Sequence, residues 1–301
     1  MNVWEHQPIN VPQDTCLIFE GGGMRCTYSS ALCNVLMENG IHFPHVYGIS
    51  AGSSCSVGYL GGDTDYMYGS FAGMATDPEL GGWKYFLRGK GFFNAERIYV
   101  PGILPGGAGP YPYKQAMDNP TEMTIQAFQR DTGASVLFTK EDFARSPEDM
   151  MVRVRACSTV PIMMPAPVIE GEAYYDGGLA DNAGILLHQA MKDGYRRFFI
   201  VHSRPRGYRK EPVKHPGFYK AYFWRHPLVA RAIINRIPRY NALLDEIDEL
   251  NAQGRAYSVF AEDITCSSGT LDHDLLQRNY EAAYAQGQRQ VDDWKSWLNV
   301  A

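Results

Sequence analysis

Two short apolar runs, each ended by glycine and followed by a helical pattern, constrain this chain more than any other feature. Thr15–Phe19 has no helical period and runs into Gly21-Gly22-Gly23, after which Cys26–Glu38 continues without Pro or Gly. Gly40 stands just past that stretch as a C-cap. His45–Ile49 repeats the pattern and leads into Ser50-Ala51-Gly52 and a second helix through Tyr59. Apolar runs this short suit strands buried on both faces, and a helix between two of them makes a right-handed parallel βαβ unit. The N-terminal region is thereby committed to an α/β architecture.

Further along, residues 123–129 and 134–139 flank Asp131-Thr132-Gly133, which predicts a hairpin. Residues 152–157 read as a resumed β pattern, 184–192 as a helix closed at Gly194, and 198–201 as another buried strand. This order predicts an α/β fold whose mostly parallel central sheet is flanked by helices. Residues 61–122 differ, with many Gly, Pro and aromatics including Trp83, Phe92 and Tyr111. They read as helical pieces broken by loops, a lid-like insertion. The last third is expected to be mainly helical over 217–251 and 272–298, with a strand at 257–260 and with Leu243, Leu244, Ile247 and Leu250 as a core stripe. A single domain over 1–301 is expected, with a core of about 15–203 and a helical extension, 204–301, packed on it.

With 45% hydrophobic residues, the 301-residue chain has enough apolar surface to exclude disorder. Its six cysteines form no C-x-x-C, which argues against a zinc site or a disulfide scaffold, and no metal is expected. The longest charge-free stretch, 39–62, contains six Gly, four Ser and two His, so it is not a membrane span. The start lacks a basic and then apolar leader, and the expected location is cytoplasmic.

Gly48-Ile49-Ser50-Ala51-Gly52 is a G-x-S-x-G between strand and helix, where a tight turn lifts a serine clear of the sheet beside a helix N-terminus. Glu20-Gly21-Gly22-Gly23-Met24-Arg25 ends the preceding strand. It is not a phosphate P-loop, because the required Gly-Lys-Ser/Thr is absent, nor a dinucleotide fingerprint, because Cys26 occupies the third glycine position. An oxyanion hole is the favoured reading, beside that of a merely tight turn: exposed backbone N–H groups of glycines admit an oxygen that side chains would block, with Arg25 adding charge or bracing the turn. For the base, His188, His202, His215, His226 and His273 lie in no catalytic motif. Asp176-Gly177-Gly178 offers a carboxylate on a sharp turn at a strand end, able to act without histidine, although a plain turn aspartate would have the same pattern.

Taken in order, the glycine loop 20–25, the elbow 48–52 and the Asp176-Gly177-Gly178 turn resemble the patatin-like phospholipases. Asn119-Pro120-Thr121-Glu122, Ala156-Cys157-Ser158-Thr159-Val160-Pro161 and Arg204-Pro205-Arg206-Gly207-Tyr208-Arg209-Lys210 are similar to a bacterial branch of that family. The resemblance covers roughly residues 15–290 and departs from the pattern slightly, with Met24 at a variable position and Cys157 where serine is frequent. It implies a patatin-like three-layer fold and a lipid acyl hydrolase without cofactor. Ser50 would be the nucleophile and Asp176 the base. Gly21, Gly22, Gly23, Met24 and Arg25 would form the oxyanion loop, Gly48 and Gly52 would shape the elbow, and Gly177 and Gly178 the turn after the base. A short-chain esterase or thioesterase with the same dyad, and a membrane-surface protein with a vestigial site, are the alternatives.

The formal charge of −5 conceals an asymmetry. Residues 196–239 hold twelve Lys/Arg and one acid, interleaved with Tyr208, Phe218, Tyr219, Tyr222, Phe223 and Trp224. Such a segment suits the inner face of an anionic membrane, suits nucleic acid, or is a solvated face whose rings pack inward. Because the dyad requires an ester, a lipid ester substrate with peripheral membrane contact is expected, and no nucleic acid.

Overall fold

Strands β1 (Ile9–Asn10) and β3 (Ile41–His42) pair in parallel as a small ribbon beside the main sheet. The main sheet comprises β2 (Thr15–Phe19), β4 (His45–Ile49), β5 (Glu122–Gln129), β6 (Ser135–Thr139), β7 (Val168–Ile169), β8 (Glu172–Asp176), β9 (Arg197–Val201) and β10 (Ala256–Val259). Its order is β10-β9-β2-β4-β5-β8-β7, with β6 also on β5. The pairs from β10 through β5 are parallel, and β6, β7 and β8 join antiparallel. The computed structural model describes Trp4 and residues 8–99 and 110–300. Part of the expected 61–122 insertion, residues 100–109, lies outside the described residues, as does most of the start on which the leader reading rests.

Successive side chains of a strand point to opposite faces, and both faces of this sheet are covered. Leu17, Phe19, Phe199 and Val201 pack on one side with helices α1 (Cys26–Glu38) and α6 (His273–Leu298), where Tyr28 and Trp294 are fully buried. Cys16, Ile18, Phe198 and Ile200 face the other side and meet α5 (Pro227–Ala252) through Leu243, Leu244, Ile247 and Leu250. The result is three layers, helix, sheet and helix, and the strands lack polar alternation because neither face is wet. Helix α2 (Ala51–Gly61) follows β4, and short helical pieces with loops fill the described part of 61–122. Among the described residues no helix is long and apolar enough to cross a membrane.

Three local expectations differ from the structure. Residues 152–157 are not β but part of helix α3 (Pro147–Ser158). Ser146 caps it by accepting the Asp149 N–H at 3.1 Å, Pro147 occupies the first turn, and Glu148 and Asp149 face the positive helix end. That start chemistry outweighs the alternation of Val152 and Val154. The 184–192 helix is shorter, Leu187–Lys192, because Ala183 and Gly184 hold φ of 51° and 130°. The helix over 217–251 is two, α4 (Pro216–Tyr222) and α5, separated where Pro227 starts the second. If the cap holds α3 in place, Ser146→Ala should lower the unfolding free energy by about 1 kcal/mol in a urea titration. No change would show that packing alone fixes the helix.

Candidate active site

Strand β5 carries β6 along one edge, with Gln126 opposite Leu137 and Ala127 opposite Val136. Two strands share its other edge. Parallel β4 ends with Ile49 opposite Gln126, and antiparallel β8 ends with Asp176 opposite Ala127. Two strand ends thus meet head to head at adjacent positions of a third, and this register puts Ser50 and Asp176 together.

Ser50 sits at φ 57° and ψ −134° at the N-terminus of α2 and is buried. A non-glycine residue held there costs of order 1–3 kcal/mol, so the surroundings must enforce it. They do so by close backbone approach. A Cβ on Gly48 would stand 2.4 Å from the Gly52 carbonyl oxygen, and one on Gly52 2.5 Å from that of Phe19. Gly21 lies against the elbow, where a Cβ would come within 2.8 Å of both Ile49 O and Ser50 Cβ. The loop's N–H groups divide into two sets. Gly21 donates to Gly184 O and Met24 to Ser268 O, each at 3.1 Å, whereas Gly22 and Gly23 have no acceptor among the described residues. Met24 is buried with Met74 and Leu276, and Arg25 reaches the cavity wall.

Asp176 Oδ1 accepts the Gly178 N–H at 2.7 Å. Helix α3 bridges both ends of the pair: Ser158 Oγ donates to Ser50 O at 2.8 Å, and the Asp176 N–H donates to Thr159 O at 2.7 Å. Buried Gln126 ties down the following turn by donating to Gly177 O at 2.9 Å, so closely that a Cβ on Gly177 would fall 1.9 Å from Gln126 O. Ser50 Oγ and Asp176 Oδ2 are not bonded to each other, nor to any other group among the described residues. Both face one cavity of about 320 Å³ that also holds Gly21 to Arg25 and has apolar walls from Phe71, Met74, Ile98, Met163 and Met164. Gly48, Gly52 and Gly177 do not line it. No histidine among the described residues lines it. His188 pairs with Glu246, His226 with Asp131 and His273 with Asp274, while His202 is buried against Phe260.

The sequence motifs give Glu20 no task, and they do not mark Ser158, Arg204, Lys210 or Arg236 as cavity residues. Glu20 ends the glycine loop's parent strand, and its carboxylate accepts from Tyr240 Oη, from the Ser203 N–H at 3.0 Å and from His202 Nδ1 at 3.2 Å. Burial alone would push this carboxyl up, but His202, Tyr240 and Lys210 outweigh it and hold it down at about 2. An acid whose pKa is depressed on folding stabilises fully above its ordinary value, near 4.5, and loses that contribution as the pH falls toward 2. The depression corresponds to about 3 kcal/mol. Denaturation at a series of pH values should therefore show the wild type losing about 3 kcal/mol more than Glu20→Gln across that window. Parallel curves would mean that the carboxylate is not held this way.

Compared with known proteins, the chain matches the family model described as patatin-like phospholipase over residues 17–191. Residues 226–299 match a second model, a domain of unknown function, DUF6363. No curated protein sequence matches the chain. Among solved structures it is similar to the crystal structure of VipD from Legionella pneumophila, at 12% identity and a TM-score of 0.47, covering 94% of this chain and 67% of that one. The first match spans more than half of the chain and contains the glycine loop, the elbow and the Asp176 turn, so the protein belongs to the patatin-like phospholipase family of lipid acyl hydrolases.

Proposed function

We propose that the chain cleaves carboxylic esters of lipids through a Ser50–Asp176 dyad. Ser50 Oγ attacks the ester carbonyl while its proton passes to Asp176. The oxyanion is held by the Gly22 and Gly23 N–H groups, and the alcohol leaves with the proton from Asp176. Water, deprotonated by Asp176, then cleaves acyl-Ser50, releasing the fatty acid and restoring the serine. The observation that carries this reading is the shared β5 edge, which sets a strained serine and a carboxylate on one cavity beside two free loop N–H groups. Both acceptor and nucleophile await a partner, and such bonds commonly tighten only once substrate is bound. The whole chain is read as one catalytic unit, because Tyr240 and Ser268, from the C-terminal third, hold Glu20 and Met24 of the loop.

Ser50→Ala and Asp176→Asn, each checked for native circular dichroism, should lower kcat/KM on a medium-chain ester about a thousandfold or more. His188→Ala, His226→Ala and His273→Ala should each stay within about threefold of the wild type. Substantial turnover by Ser50→Ala would overturn the dyad.

Membrane contact belongs to the same reading. On and beside α4, Phe218, Tyr222 and Trp224 are exposed among Lys214, Lys220 and Arg225, while Phe223 packs inward against Val229 and Leu179. Exposed rings flanked by cations suit the headgroup region of an anionic bilayer. Phe218→Ser combined with Trp224→Ser should weaken cosedimentation with anionic vesicles about tenfold or more, at low salt and high salt alike. Unchanged partitioning would make this a solvated face.

A further inference from the structure

Three of the twelve cations in 196–239 do not face outward. Arg204, Lys210 and Arg236 line the Ser50 cavity together with Arg25. They converge from separate places: the turn after β2, the segment after β9, and α5. Two outward neighbours on the same elements are neutralised, Arg209 by Asp245 and Asp248, and Arg239 by Asp181, whereas exposed Arg206 and Arg231 meet solvent. None of the four inward cations has a carboxylate partner among the described residues. The two acids on the cavity are Glu20, already engaged by Tyr240, His202 and Ser203, and Asp176, bonded to Gly178.

Three of the four are held by contacts other than a salt bridge. Lys210 Nζ lies 3.4 Å over the Tyr240 ring, Arg204 lies 4.1 Å over Tyr208, and Arg236 Nε donates to Ala183 O at 3.4 Å. The Nε atoms of Arg25 and Arg204 are buried without an acceptor. Burial and repulsion from Arg204 lower the pKa of Arg25, and burial with repulsion from Arg236, Arg25 and Arg204 pulls that of Lys210 well down, against the opposing pull of Glu20. Arg236 also comes up to the base's own turn. A Cβ on Gly178 would stand 2.8 Å from Arg236 Nη2 and 2.9 Å from Asp176 Oδ1, so the guanidinium lies against the turn that carries the carboxylate. An anion delivered with the substrate would relieve like charges gathered beside Ser50 without a salt-bridge partner.

We propose that Arg25, Arg204, Lys210 and Arg236 form an anion subsite that selects lipid esters whose headgroup is an unsubstituted phosphate monoester. Such a group carries close to two charges and three acceptor oxygens, which suits several converging donors, and guanidinium forks match it bidentately. A headgroup extended by choline or ethanolamine would bring its own cation into the cluster and be disfavoured. The apolar wall of Met74, Ile98 and Met163 is left for the acyl chain.

The selectivity arm of the test rests on the dyad reading, and the binding arm does not. In the first, kcat/KM is measured on dihexanoyl phosphatidic acid, dihexanoyl phosphatidylcholine and a neutral p-nitrophenyl ester, for wild type, Lys210→Met, Arg236→Gln and the charge-keeping Lys210→Arg. The phosphatidic acid should be preferred over the choline lipid by tenfold or more. Lys210→Met and Arg236→Gln should each cut the ratio of phosphatidic acid to neutral ester tenfold or more, and Lys210→Arg should restore most of it. In the second, calorimetry follows inorganic phosphate binding to Ser50→Ala, with and without Lys210→Met, and binding should be lost in the double variant. If no protein cleaves any ester yet phosphate binding depends on Lys210, the dyad fails and the subsite stands. If the neutral ester is cleaved but there is neither headgroup preference nor Lys210-dependent phosphate binding, the subsite is overturned and the dyad stands. Phosphate binding and inhibition without preference for phosphatidic acid would mark a site for free phosphate and overturn the headgroup assignment.

Discussion

One buried carboxylate holds the structure together where it matters. Glu20 stands at the end of β2, receives donors from the end of β9 through His202 and Ser203, and receives a third from Tyr240 on α5. A buried acid left unpaired would cost several kcal/mol, so these elements are tied to one another wherever the protein is folded. The glycine loop begins at that tie. Gly21, Gly22 and Gly23 have few intrinsic constraints, and a loop of this composition keeps its N–H groups aimed only if its ends are anchored. Glu20 anchors one end and the Met24 bond to Ser268 the other. The C-terminal region matched by the model of unknown function therefore bears directly on the geometry of the patatin-like region.

The second constraint is the crowding of backbone on backbone at the elbow. Gly48, Gly52, Gly21 and Gly177 each sit where a Cβ would strike a main-chain oxygen. This contact gathers the loop, the serine turn and the aspartate turn at the carboxyl ends of β2, β4 and β8, the end of an α/β sheet where sites are generally built. It also stabilises the unfavourable dihedrals of Ser50, since a relaxed serine turn would collide with its neighbours. Helix α3 completes the clamp through Ser158 and Thr159, which gives the 156–161 stretch a structural task.

Much of this was legible in the amino-acid order because it depends on local rules. Strand, glycine and helix alternate near the N-terminus, and turn glycines mark where backbone must pass close. The α3 region was misread for an equally local reason: Val152 and Val154 carry a strand-like pattern, but Ser146 and Pro147, just upstream, start a helix. The meeting of β4 and β8 on one edge of β5 had no such signal. It is a matter of register between segments more than 120 residues apart, and only the folded sheet expresses it. Arg236 was invisible for the same reason, being one more cation in a basic stretch until α5 turns it toward Gly178.

That basic stretch is where one-dimensional charge counting misleads most. An excess of cations over 196–239 reads as a single patch, yet the fold separates three groups within it. Some cations are neutralised on the surface by α5 acids and Asp181, some stand beside the exposed rings of α4, and Arg204, Lys210 and Arg236 turn inward. The first group contributes little, because exposed pairs are screened. The second and third follow one another along the same short segment, so a bilayer contact at α4 and an anion subsite at the serine would be mechanically joined. A headgroup entering from the membrane side would exchange one set of cations for another, and the inward set, being less hydrated, would hold the anion more strongly. On this view net charge is a poor guide to the protein's partners, and the useful quantity is how many of its cations the fold leaves without a carboxylate.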